Sequence, residues 1–351
     1  MSSEAHGGLN LAELRAAGLD PDSVLDFSVN VNPFGPSPLV SQALRDLDVA
    51  SYPDREAIVL REALARANAV GVENLLVGNG TAELIWLAAH AFLRDGGPAL
   101  IVGPTFGEYE RAARAVGAEV TEVRAGPPDF CVDVDRLIAA IESTRPRLVF
   151  LCNPNNPTGA RLTGGEVWRI AAACGESFLV LDEAYRSFVT LSPFGPPPRN
   201  NVIVLRSMTK DFALAGLRLG YALARPELVA ALRAIQPPWS VNGPAQAAGL
   251  AALADLGHLR RTLQLTQEAA RDLRMALAAA GARVNESQTH FHLVEIGDGA
   301  TWRAWLLRRG CLVRDCASFG LPQYVRVGTR RPGENEKLIQ AWGFNLGRTD
   351  L

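Results

Sequence analysis

Short apolar runs alternate along this chain with longer Ala/Leu/Arg-rich stretches, and that rhythm limits the fold class more than any other feature. The runs are NLLVG (74–78), ALIVG (99–103), AEVTEV (118–123), RLVFLC (147–152), SFLVLD (177–182), VIVLRS (202–207) and RLGYALA (218–224), with helical stretches such as 80–94 and 107–116 between them. Strand, helix, strand is the βαβ unit, whose crossover helix returns the chain to start a parallel neighbour. The pattern predicts an α/β fold with a mainly parallel seven-stranded sheet. It breaks at PPWSVNGP (237–244), which leads into a long Ala/Arg helix near 245–280; FHLVEI (291–296), a helix at 300–309 and YVRVGT (324–329) follow as a smaller α+β unit. The opening residues, with NVNPFGPSP, read as an extended arm. A length of 351 residues exceeds one ordinary core. The expected organisation is therefore an arm (1–35), a large domain (36–244) and a small C-terminal domain (245–351).

The bulk composition excludes several function classes. A net charge of −2 offers nothing to attract nucleic acid or anionic membranes, although local arginine clusters can still take small anions. The five cysteines are odd in number and form no CxxC pair, as expected of reduced thiols in a cytoplasmic protein. MSSEAHGG has neither the basic nor the apolar region of a secretion signal, and the run LIWLAAHAFL is too short to span a bilayer. The expected partner is a small molecule.

Polar residues gather where the candidate strands end: Gly78 to Gly80, Asn153 to Gly159, Asp182, and Ser207 to Lys210. In open α/β sheets that edge carries the ligand crevice. Of 35 basic residues only Lys210 and Lys337 are lysine. An amine condenses with an aldehyde, whereas a guanidinium stays protonated and cannot. Lys337, beside GENE, reads as a solvated surface charge. Lys210 in SMTK invites an aldehyde cofactor, and pyridoxal 5′-phosphate (PLP) is the obvious one. PLP further needs a carboxylate for its ring nitrogen, and Asp182 at the end of SFLVL can supply it. Its phosphate needs a helix N-terminus, hydroxyls and a cation. Gly80 and Thr81 in GNGTAE open a helix, and Ser207, Thr209 and Arg218 add the rest. Asn156 and Tyr185 lie where they can meet the phenolic oxygen.

Taken in order, GNGTAE, PTF, NPNNPTG, DEAY and S-x-T-K-(x)7-R resemble fold-type-I PLP enzymes, the aspartate-aminotransferase superfamily, and within it the histidinol-phosphate-aminotransferase-like branch. The resemblance spans essentially the whole chain. It implies that Lys210 joins the cofactor covalently, Asp182 pairs with the ring nitrogen, and Asn156 and Tyr185 bind the phenolic oxygen. It also implies that Gly80, Thr81, Ser207, Thr209 and Arg218 hold the phosphate and that Phe106 stacks on the ring. Tyr52 in SYPD is similar to the tyrosine that reaches a partner subunit's cofactor, which implies a homodimer with shared sites.

Three segments bear on the reaction: HGG with LDFSVNVNPFGP, PPWSVNGPA, and VRDCASFGLPQYVRVGTR. Each is more similar to threonine-phosphate decarboxylases than to histidinol-phosphate aminotransferases. That likeness implies a carboxy-lyase converting L-threonine O-3-phosphate to (R)-1-amino-2-propanol O-2-phosphate in cobalamin biosynthesis. Arg326 would anchor the carboxylate, with His6, Asn30, Asn156, Arg314 and Arg330 completing the substrate site. The alternative is an aminotransferase for histidinol phosphate or an aromatic amino acid. The sequence departs from the decarboxylase pattern in HGGL and in the short loop between Arg314 and Arg326. A PLP-binding transcription regulator would need a DNA-binding module, for which residues 1–35 leave no room. His290 and His292 in THFH read as one face of a strand rather than a metal site, Arg330 equally as a salt-bridge partner, and Trp239 as a core or hinge aromatic.

Overall fold

A computed structural model describes residues 7–190, 195 and 200–343. Its main sheet has seven strands: β1 (Leu75–Asn79), β2 (Ala99–Gly103), β3 (Val120–Arg124), β4 (Leu148–Cys152), β5 (Phe178–Asp182), β6 (Val202–Ser207) and β7 (Leu219–Leu223). Their spatial order is β1-β7-β6-β5-β4-β2-β3. β7 runs antiparallel to both neighbours, and every other pairing is parallel. All seven expected strands are present, each within about two residues of its sequence bounds.

The central strands are apolar without interruption because both faces are covered. Along β4, Val149 and Leu151 enter one core while Leu148, Phe150 and Cys152 enter the other. That period of two places one row under each helical layer. Helix α1 (Gly80–Leu93) packs on the second face with α2 (Glu108–Ala115), while α3 (Gly164–Ala173) covers the first. A second, antiparallel sheet follows: β8 (Arg283–Val284), β9 (Phe291–Glu295), β10 (Arg314–Asp315) and β11 (Tyr324–Gly328), ordered β10-β11-β9-β8.

Two expectations change. The long helix divides into Gly243–Ala254 and α4 (Leu256–Ala279), because Asp255 leaves helical geometry and its side chain caps α4 through the His258 N–H at 3.0 Å. The first residues are also more than an extended arm. Leu11–Ala16 is a helix capped by Asn10, Leu25–Asp26 pairs in parallel with Cys311–Leu312, and Phe27 sits in the C-terminal core. The hydrophobic contacts that seat Phe27 lie almost 300 residues away, which local reading cannot anticipate.

Close backbone approach fixes one position. A Cβ on Gly220 in β7 would stand 2.8 Å from the Thr81 N and 3.0 Å from the Gly80 carbonyl carbon. Only glycine lets β7 lie this near the first turn of α1. Gly220→Ala is expected to destabilise the protein by about 1–3 kcal/mol, as overpacking does, measured by urea unfolding. Unchanged stability would contradict this contact.

Candidate active site

Four strands deliver polar groups to one edge of the main sheet. The turn after β2 carries Phe106, the end of β4 carries Cys152 and Asn156, β5 ends on Asp182 with Tyr185 after it, and the turn after β6 carries Thr209 and Lys210. They line one cavity of about 420 Å³ together with Thr81, Arg218, Asn30, Arg314 and Arg326. The first segment of the chain closes it from above through Gly7 and Ser28 to Asn30.

Asp182 is buried, and its two oxygens are fixed separately. Oδ1 accepts the Ala184 N–H at 2.9 Å, and Oδ2 accepts the Tyr109 hydroxyl at 2.8 Å. Burial pushes its carboxyl up, while Tyr109, Ala184 and Lys210 draw it back down. Lys210 lines the same cavity, and its amine falls to about 8, first through burial and then through the positive charges of Arg326 and Arg218. Burial raises the Tyr185 phenol to about 12, so it remains a donor at neutral pH.

At the other wall Arg314 and Arg326 are cross-strand partners on β10 and β11 and both reach the cavity. Arg326 donates to the Asn156 Oδ1 and, at 2.5 Å, to the Ser28 carbonyl. Arg314 donates to the Ser318 Oγ at 2.7 Å and lies over the Phe319 ring. Asn30 donates from Nδ2 to the Tyr185 hydroxyl at 3.5 Å, and its buried Oδ1 has no partner among the described residues.

The profile of the family "Aminotransferase class I and II" matches residues 22–341. The chain belongs to that family. It is 40% identical to a histidinol-phosphate aminotransferase of Anaeromyxobacter sp., over 93% of this chain and 92% of the relative. The crystal structure of histidinol-phosphate aminotransferase from Sinorhizobium meliloti in complex with pyridoxal-5′-phosphate superposes with a TM-score of 0.86, at 26% identity, covering 95% of this chain and 93% of that one. The L-threonine-O-3-phosphate decarboxylase of Porphyromonas gingivalis superposes at 0.81, with 30% identity, covering 92% and 99%.

The cofactor is pyridoxal 5′-phosphate, as in class I and II aminotransferases, and the residues present fit it. Lys210 offers a primary amine with reduced proton affinity, and Asp182 a buried carboxylate facing the same space. For the phosphate, α1 begins without a side-chain cap, so its first N–H groups are open to an anion. Gly80 has φ +74° and its missing Cβ would lie 2.8 Å from an Arg218 nitrogen, so glycine lets that guanidinium lie over the helix start. Thr81 and Thr209 line the cavity.

Not every residue singled out from sequence lies there. Ser207 is buried behind the cavity, sharing a 2.6 Å hydrogen bond with the Thr209 hydroxyl; its place is to orient that threonine. Arg330 turns away from the cavity, donating to Glu334 at 2.8 Å and to the Asp26 carbonyl at 3.1 Å, so the salt-bridge reading holds for it. Tyr52 is 81% exposed and stacks on Trp239, 4.9 Å between centroids, outside the cavity. Trp239 is itself 44% exposed with a left-handed backbone, so of the core and hinge readings the core one does not hold. His6 lies outside the described residues. His290 precedes β9 and stacks on Phe188 at 3.6 Å, while His292 meets the Ala270 carbonyl at 2.9 Å. Both are buried neutral rings, lowered by desolvation to about 3 and about 4, and no metal-binding group occurs among the described residues. Sequence reading missed Tyr109 and Cys152. The only available signal for Tyr109 was its position one helical turn beyond Phe106.

The low proton affinity of Lys210 generates a measurable expectation. Protein stripped of cofactor should take up PLP faster as pH rises toward about 8 and reach a plateau above it, because only the neutral amine attacks an aldehyde. Absorbance-monitored reconstitution that still accelerates tenfold per unit above pH ~9.5 would indicate an ordinary, solvated lysine. Lys210→Arg should bind no cofactor covalently.

Proposed function

We propose that this protein is a PLP-dependent aminotransferase whose amino substrate carries a phosphate ester on the carbon next to the amine, as histidinol phosphate does. The observation that carries the reading is the facing pair of arginines, Arg314 and Arg326, across the cavity from Lys210. Like charges at directly opposed positions destabilise a sheet. A dianionic phosphate between them turns that repulsion into charge-assisted hydrogen bonds. Asn30, buried with an unpartnered acceptor, stands ready to take an N–H or O–H of the substrate.

The cofactor, when bound, supplies an electron sink for a bond broken at the amine-bearing carbon. The chain does the rest. Lys210 would hold the cofactor and, as a free amine lowered to about 8, can carry a proton. Asp182, a buried carboxylate, would hold the ring nitrogen's proton. Tyr185 and Asn156 hold the phenolic oxygen side, and Phe106 packs against the ring's face. Arg326 grips both Asn156 and the Ser28 carbonyl, so the anion anchor, the cofactor site and the first segment move as one piece. Gly80, Thr81, Thr209 and Arg218 cradle the phosphate, with Ser207 behind Thr209. On the same reading, a second copy of the chain covers the exposed Tyr52–Trp239 pair.

Histidinol-phosphate aminotransferases at near full length support amino transfer. Decarboxylation of L-threonine O-3-phosphate is the second reading. It is favoured by the 30% identity to a solved decarboxylase and by the R-D-C-A-S-F segment, which brings Arg314 and Phe319 to the cavity. Both substrates share the same unit, an amine and a phosphate ester on adjacent carbons, and differ in the third substituent. Arg330, turned toward Glu334, no longer argues for the decarboxylase.

The products separate the two. Holoenzyme supplied with histidinol phosphate and a 2-oxo acid is expected to yield the matching amino acid and convert its cofactor reversibly to the amine form. CO2 released from O-phospho-L-threonine, without net change of the cofactor, would instead establish the second reading. In either case Arg314→Ala should raise KM for the phosphorylated substrate by about 10–100-fold, the loss of one charge-assisted contact, while cofactor uptake stays unchanged.

A further inference from the structure

The carboxylate that faces the cofactor's ring nitrogen is controlled by a residue that lies behind it. Tyr109, in the first turn of α2, is 1% exposed, and its ring is clamped. Phe150 of β4 stacks on it at 5.3 Å with planes 15° apart, and Phe106 meets it edge-on at 5.8 Å. In this clamp the hydroxyl donates to Asp182 Oδ2 at 2.8 Å. Phe106 is the residue proposed to pack against the ring's face, so one aromatic unit would support both the face and the nitrogen edge of the cofactor.

We infer that Tyr109, through its hydroxyl, orients and charges the Asp182 carboxylate for the cofactor's ring nitrogen. The groups facing Asp182 are Tyr109 from α2, Cys152 on β4, Lys210 after β6, and Glu183 and Tyr185 on its own turn. Of these, Tyr109 donates the side-chain hydrogen bond. Its phenol and the Cys152 thiol are both pushed up by burial and by the Asp182 charge, so each keeps its proton at neutral pH. The thiol points its proton at the Pro154 carbonyl, 3.3 Å away. A hydrogen bond donated to a carboxylate favours its ionised form, whereas burial favours the acid. Removing the hydroxyl tips Asp182 toward the acid, and an acid cannot hold a proton on the ring nitrogen. Tyr109 is thus a positioning residue: it acts through Asp182, to which its hydroxyl is bonded. The inference rests on the cofactor and not on the choice of substrate.

Tyr109→Phe tests it, since the stacked ring and the fold are retained. With cofactor labelled with nitrogen-15 in the ring, the wild-type holoenzyme should show a protonated nitrogen. The variant should show a deprotonated fraction that grows with pH. Cofactor affinity of the stripped protein should weaken about tenfold, and kcat should fall with KM nearly unchanged. In an Asp182→Asn background the same substitution should have no further effect on the nitrogen signal, because the two residues act as one unit. Tyr109→Leu reports the packing contribution through melting temperature. A Tyr109→Phe protein with wild-type nitrogen shift, pH profile and cofactor affinity would overturn the inference. So would equal effects of Tyr109→Phe with and without Asp182. A wild-type protein that takes up no cofactor would fail differently, by refuting the cofactor itself.

Discussion

A negative charge held at the end of a buried strand is the constraint on which the rest of this molecule depends. Asp182 closes β5 in the middle of the main sheet, where it is buried and an unpaired carboxylate is strongly disfavoured. Three groups make its charge tolerable: the Ala184 N–H in the following turn, the Tyr109 hydroxyl from α2, and the amine of Lys210 across the cavity. Each comes from a different βαβ unit. The fold therefore has to be assembled before the site has a stable charge state, and on the proposed reading the cofactor's ring nitrogen would complete the set.

A second tie runs from the first segment of the chain. The Asn32 backbone N–H donates to the Lys210 carbonyl at 2.8 Å, and its side chain donates at 2.9 Å to the Asp211 carbonyl and to the Thr262 hydroxyl of α4. Thr266 of the same helix returns a bond to the Asn32 Oδ1 at 3.3 Å. One buried amide thus fixes the loop carrying the lysine to a helix that packs on the C-terminal sheet. With Arg326 bonded to Asn156 and Ser28, this makes the anion-binding wall and the cofactor wall a single hydrogen-bonded body. Movement of the C-terminal sheet would be felt directly at Lys210.

Much of this was legible beforehand, and for a specific reason. Strands buried on both faces spell themselves as uninterrupted apolar runs, so β2 and β6 are found at their sequence bounds. Residues that follow such strands converge by topology alone, and Asn156, Asp182, Tyr185, Thr209 and Lys210 meet as expected. Side-chain direction was less legible at two positions. Arg330 has the right spacing for the cavity, yet Glu334, in the first turn of the helix that follows it (Pro332–Gly343), and the Asp26 carbonyl pull it away. Ser207 and Thr209 look equivalent on paper, but Ser207 still belongs to β6 while Thr209 lies in the turn beyond it, and only the second lines the cavity. The helix break at Asp255 was equally hidden, since Asp inside an Ala-rich stretch is usually a solvated residue. Here it serves as a cap and takes the Ser37 hydroxyl at 2.6 Å.

By itself the sequence determined the layering of the sheet, the edge at which chemistry gathers, and the presence there of one amine and one acid. Period and strand ends are properties of local chain geometry, which holds wherever the segment lies. Only the tertiary structure decided which charges pair, which arginines stay aimed at the ligand, and that a tyrosine stands behind the acid. Those outcomes depend on competition between partners brought together from distant segments, and a difference of one hydrogen bond settles each.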